Sequence, residues 1–96
     1  MKITWSPEAQ QEYWENIQYL VDEFSVEVAQ EFIHTVEQYI QTISKNPKAF
    51  QKTGFKNIRS VPIVPKISLY YREHKNEIEL LRFFNNLQHP NQRNFK

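Results

Sequence analysis

Apolar positions repeat at helical spacing through the first half of the chain and alternate through much of the second. Residues 2–5 form a short candidate strand ending at Trp5. Ser6 then stands as a helix N-cap, with Pro7 at the first helical position, where its missing N–H costs nothing. Ala9, Tyr13, Ile17, Leu20, Val21 and Phe24 follow at a 3.6-residue period, and Trp14 widens the stripe. This predicts a helix over 7–24. Ser25 caps a second helix whose apolar stripe is Val28, Ala29, Phe32, Ile33, Val36, Tyr39, Ile40 and Ile43. Asn46-Pro47 stops it, because a residue before proline avoids the α region. With so short a link, the helices must fold back as a hairpin.

Residues 47–57 read as a loop holding Lys48, Lys52, Lys56 and the one glycine, Gly54. Three strands are expected after it. Residues 58–63 carry Pro62, which demands an edge or a bulge. Residues 66–74 alternate, with Ile67, Leu69 and Tyr71 on one face and Lys66, Ser68, Tyr70 and Arg72 on the other. Lys75-Asn76 suits a two-residue turn. Residues 77–85 are apolar on both faces, as a central strand requires. From Asn86 onward the chain is polar. The order β-α-α-β-β-β predicts a single α+β domain over residues 1–96, with the helical hairpin packed on one face of a small, mostly antiparallel sheet. The other face is left to solvent or a partner.

Composition narrows the chemistry. The chain has no cysteine, so disulfides, thiolate metal sites and a cysteine nucleophile are excluded. No apolar run reaches the roughly 20 residues of a membrane span, and the sequence reads as soluble and cytoplasmic. No cofactor motif is present. The net charge of +1 conceals an asymmetry: residues 1–46 carry two Lys or Arg against eight Asp or Glu, and residues 47–96 carry ten against three. The halves are therefore −6 and +7. A basic working surface is expected on the second half, facing nucleic acid or an acidic protein. His34, in a helix without a partner one turn away, and His74, beside the turn, read as surface groups.

The sequence resembles the RelE/ParE superfamily of toxins from type II toxin–antitoxin systems. The resemblance is carried by Ile3-Thr4-Trp5-Ser6-Pro7-Glu8-Ala9, by Ile58-Arg59-Ser60-Val61, by Ile67-Ser68-Leu69-Tyr70-Tyr71-Arg72, and by the stretch from Ile78 to Pro90. It implies a plasmid-stabilisation type of toxin neutralised by a cognate antitoxin. Family members either cut messenger RNA on the ribosome or, like ParE, poison DNA gyrase without being enzymes. Metal-independent RNA cleavage needs a base, an acid and cations for the phosphate. Arg59, Lys66, Arg82 and His89 are the residues that could supply them. Ser68 and Leu87 stand where ribonuclease members often carry arginine, with Lys66 near Ser68 as a substitute. This departure favours the ParE-like branch, with gyrase as the target. The alternatives are a ribosome-dependent endoribonuclease and a plain nucleic-acid-binding module. Binding of the target or antitoxin is expected at Arg59, Lys66, Tyr70, Arg72, Arg82, His89 and Arg93. Arg72 and Arg82 also have acidic partners within reach across the last hairpin, at Glu73, Glu77 and Glu79.

Overall fold

Two capped helices begin where the serines stand. In a computed structural model that describes residues 1–86, the chain runs β1 (Lys2–Trp5), α1 (Pro7–Glu23), α2 (Val26–Lys45), β2 (Gln51–Lys52), β3 (Ile58–Val64), β4 (Ile67–His74) and β5 (Glu77–Asn85). The Ser6 side chain accepts from the Ala9 N–H at 2.9 Å, and Ser25 accepts from Val28 at 3.1 Å. Each bond satisfies one of the orphan donors of a helix start, worth about 1 kcal/mol.

The five strands form one sheet in the order β1-β5-β4-β3-β2. β1 lies parallel to β5, and every other pairing is antiparallel. β5 is thus internal, as its two apolar faces predicted. β2 is new: a two-residue strand pairing Gln51 and Lys52 with Ser60 and Arg59, inside the segment expected to be loop. Pro62 sits beyond the reach of β2, and the register shifts between Pro62 and Val64. Both solutions open to a strand proline are therefore used. Lys75 and Asn76 both take positive φ, 51° and 64°, which gives the tight β4–β5 turn its twist.

Ile67, Leu69 and Tyr71 of β4, with Ile78, Leu80 and Phe83 of β5, meet Ala9, Leu20, Ala29, Phe32, Val36 and Ile43 of the helices in one core. Phe83 lies at its centre, with ring centroids 5.6 Å from Trp5, 5.5 Å from Tyr13 and 6.3 Å from Phe32. Burying such a ring contributes about 2–3 kcal/mol. Two positions of the α1 stripe do not join the core. Trp14 is 66% exposed and Phe24 is 57% exposed, because Ala9, Asn16 and Leu20 form the buried line of α1 and Phe24 stands at the hairpin tip.

A single extra residue sets which face the second half of β5 presents. Tyr70 pairs with Arg82, yet Tyr71 pairs with Leu80, so Leu81 is bulged out of the ladder. Strict alternation from Ile78 and Leu80 would carry Arg82 into the core. The bulge resets the count and puts Phe83 there instead.

Beyond Trp5, β1 ends and β5 continues. Side chains of α1 take over the role of the missing strand. Ser6 donates to Leu81 O at 2.9 Å, Glu12 accepts from the Phe83 N–H at 3.1 Å, and Asn16 donates to Phe83 O at 3.1 Å. Asn85 donates to Asn16 at 2.9 Å, closing a fully buried amide pair. Buried backbone groups without partners would be costly, and this arrangement supplies them.

Candidate functional site

The helices pack on one face of the sheet, and the register assigns each residue to that face or to the opposite one. In an antiparallel pair, residues directly opposite share a face. Ser68, Tyr70 and Arg72 stand on the face opposite the helices with their β3 partners Pro62, Ser60 and Ile58 and their β5 partners Phe84, Arg82 and Glu79, and Phe84 is buried there. Arg72 is joined there to Glu79, with Nε 2.8 Å from Oε1, as the sequence had offered. The pair is partly solvated and adds little stability.

Of the other basic residues expected at the site, Arg59 and Lys66 fall elsewhere, and Arg82, opposite Tyr70, is tied to α1. Arg59 pairs with Tyr71, a wholly buried core residue, and so belongs to the helix side of the sheet. Its Nη1 donates to Phe50 O at 2.8 Å. Lys66 does not extend β4 on the face of Ser68. It lies in the turn before Ile67 with φ 75°, and its carbonyl accepts from the Asn86 N–H. Arg82 pairs with Glu12 of α1 rather than with an acid of the β4–β5 hairpin. Both oxygens of the carboxylate are engaged, in the bidentate geometry that suits guanidinium. This hydrogen bonding raises the Arg82 pKa above its ordinary value, against the opposing effect of burial. Leu87, His89 and Arg93 lie outside the described residues.

The expected single basic face is therefore divided. Two arginines are neutralised within the chain, and Arg59 turns to the helix side. What the helix side gathers at its open end is a groove of about 650 Å³, past the end of α2. Lys48, Lys52, Lys56 and Arg59 line it, with Phe55 and Glu73. The three lysines are exposed and make no ion pair among the described residues. The sequence showed these lysines at a four-residue spacing beside Gly54, but without the β2–β3 pairing nothing indicated that they converge with Arg59. Gly54 itself takes φ 94° with open space around it, which lets the loop turn tightly.

The acidic half is distributed differently. Glu8, Glu15, Asp22, Glu23, Glu27, Glu31 and Glu37 are all exposed along the helices, and only Glu12 is drawn into the interior edge of the sheet. His34 and His74 are exposed, as expected. Among the described residues no group of three His, Cys, Asp or Glu could hold a metal, and no helix is long and apolar enough to cross a membrane.

No family model matches the sequence, and no curated protein sequence does. The fold has clear counterparts among solved structures. A chain of the chromosomal ParDE toxin–antitoxin system from P. aeruginosa matches with a TM-score of 0.74 at 17% identity, over 88% of this chain and 95% of that one. A YoeB/ParE toxin from Agrobacterium tumefaciens matches at 0.63 and 14% identity, over 88% and 98%. A chain of the E. coli DinJ–YafQ complex matches at 0.55 and 11% identity, over 91% and 94%. Two helices on a five-stranded mixed sheet, in this order, are the α+β fold of the RelE/ParE toxins. This chain has that fold along nearly its whole described length.

Proposed function

We propose that this protein is the toxin of a type II toxin–antitoxin system, that it arrests growth by binding an essential target, DNA gyrase, and that an antitoxin encoded beside it holds it inactive. The observation that carries the reading is the backbone match to the ParDE chain, at a TM-score of 0.74 against 0.55 for the chain of the DinJ–YafQ complex. The sheet face opposite the helices supports a binding role over cleavage. Among the described residues its polar groups include Ser68, Tyr70, an Arg72 paired with Glu79 and an Arg82 paired with Glu12. Strand cleavage without a metal needs a proton acceptor and a proton donor on opposite sides of the phosphate, and a tyrosine beside a neutralised arginine is a poor pair for that task.

Induced expression in a bacterial host tests the proposal. Growth is expected to stop, and co-expression of the neighbouring reading frame is expected to restore it. Purified protein added to gyrase and supercoiled plasmid is expected to trap cleavage complexes. Discrete new 5′ ends in cellular messages, lost on mutating Arg59 or His89, would instead establish the endoribonuclease reading.

A further inference from the structure

The two ends of α2 have no part in that reading, and they are opposite in charge. At one end stands the α1–α2 tip. Phe24 is 57% exposed there and Val26 is 53% exposed. The Phe24 ring is held edge-on against Tyr19, with centroids 6.2 Å apart. Asp22, Glu23, Glu27 and Glu31 flank this apolar pair along the chain and are exposed. None of the four is in an ion pair among the described residues, and residues 3–44 contain no Lys or Arg to neutralise them. At the other end lies the groove of about 650 Å³. Its cations Lys48, Lys52, Lys56 and Arg59 outnumber its one acid, Glu73, and Pro47 and Ile58 add apolar lining. Like charges around one open space repel each other, and acids seated among them remove that cost. The walls are tied in place: Tyr71 donates to Pro47 O at 2.8 Å, and Arg59 donates to Phe50 O at 2.8 Å.

We infer that the groove receives the hairpin tip of a second copy of this chain, with Phe24 entering it and Glu23 and Glu27 against the lysines. An acidic projection with an apolar point and a basic recess with apolar lining are complementary in charge and in polarity. Burying Phe24 and Val26 adds the usual gain of about 25 cal/mol per Å² of apolar surface. The twenty residues of α2 hold tip and groove about 30 Å apart on one stiff rod, so a chain cannot fill its own groove. The same separation lets two copies, side by side and antiparallel, make the contact twice about a two-fold axis. A net charge of +1 opposes this little, because copies near neutrality have no strong general repulsion. Such pairing is a property of the purified protein and does not depend on the toxin reading.

Sedimentation equilibrium on the full chain tests it. At about 20 mM salt the weight-average mass is expected to rise from one chain towards two between about 10 and 300 μM protein, and at about 500 mM salt to stay at one, because salt screens exposed charges. Glu23→Lys with Glu27→Lys should weaken pairing at least about tenfold, and so should Lys52→Glu with Lys56→Glu. Mixed in equal amounts, these two variants should pair with each other, and a chain carrying all four changes should pair with itself. Glu15→Lys with Glu37→Lys, away from the tip, changes the net charge by the same amount as the tip variant and should leave pairing within about threefold. Phe24→Ser should weaken it about fivefold at either salt concentration where pairing is measurable. Thermal unfolding of each variant checks that the fold is kept. Four results would overturn the inference. These are a mass of one chain throughout at low salt, pairing indifferent to either reversal, no recovery in the mixture or in the chain with all four changes, and a loss in the Glu15 and Glu37 variant as large as at the tip.

Discussion

Arg82 was the residue whose position in the sequence posed the sharpest problem, a charge between Leu81 and Phe83. Its solution is Glu12, seventy residues earlier, held at 2.8 Å and itself accepting from the Phe83 N–H. Both side chains are mostly shielded, so breaking the pair leaves a charge with poor solvation. Glu12→Gln is expected to cost about 2 kcal/mol, measured as a lower urea midpoint at unchanged slope. Nothing near Glu12 in sequence announces this role, because a glutamate on an amphipathic helix ordinarily faces water. Tyr71 gives a second residue-scale expectation. Burial pushes its hydroxyl above the ordinary value of 10.0, with the Arg59 charge opposing. Burial also raises Tyr13, helped by the charge of Glu37. The folded state therefore holds these protons more tightly than the unfolded chain does. Their stabilisation is complete below about pH 10 and is lost as pH rises beyond it. Urea midpoints should fall as pH rises above about pH 10, and the fall should be shallower in Tyr71→Phe.

At the scale of elements, the sequence revealed what periodicity and caps can reveal. Ser6 and Ser25 marked both helix starts, and Pro47 marked the end of the second. Ile67, Leu69 and Tyr71 declared the buried face of β4, and the apolar run from Ile78 declared an interior strand. Three things were hidden. A two-residue strand such as β2 has no pattern to read. The Leu81 bulge is invisible because it changes spacing and not composition. The partition of the arginines depends on partners remote in sequence. One sign was available and would have helped: Asn16 falls on the buried line of α1 with Ala9 and Leu20, and an amide there must have buried partners. Those partners are Phe83 O and Asn85. Asn16→Ala is expected to lose about 2 kcal/mol, since it removes the side-chain donor to Phe83 O and one acceptor of the Asn85 amide. Hydrogen exchange should show the Phe83 region opening more readily than β4.

At the scale of the whole molecule, charge among the described residues is sorted by element: acids along the hairpin helices, lysines without an ion pair there on the α2–β3 connection. Net charge of +1 therefore misdescribes how this protein meets other surfaces. At pH 7 and low salt it is expected to be retained by both anion- and cation-exchange resins. Replacing Lys48, Lys52 and Lys56 by glutamate should abolish retention on the cation exchanger alone. A mixed surface of this kind permits an acidic and a basic partner at once, on different sides.

The pairing of β1 with β5 joins the first strand of the chain to the last one described, Lys2 opposite Glu77 and Trp5 opposite Leu80. During synthesis, the helices leave the ribosome long before the strand that fills the middle of their core. Until residues 77–85 emerge, β1 has no neighbour, and Phe32 and Tyr13 have no Phe83 to pack on. A nascent chain halted at the Lys75-Asn76 turn is expected to be an unfolded, protease-sensitive polypeptide, so a folded protein exists only once β5 has been released.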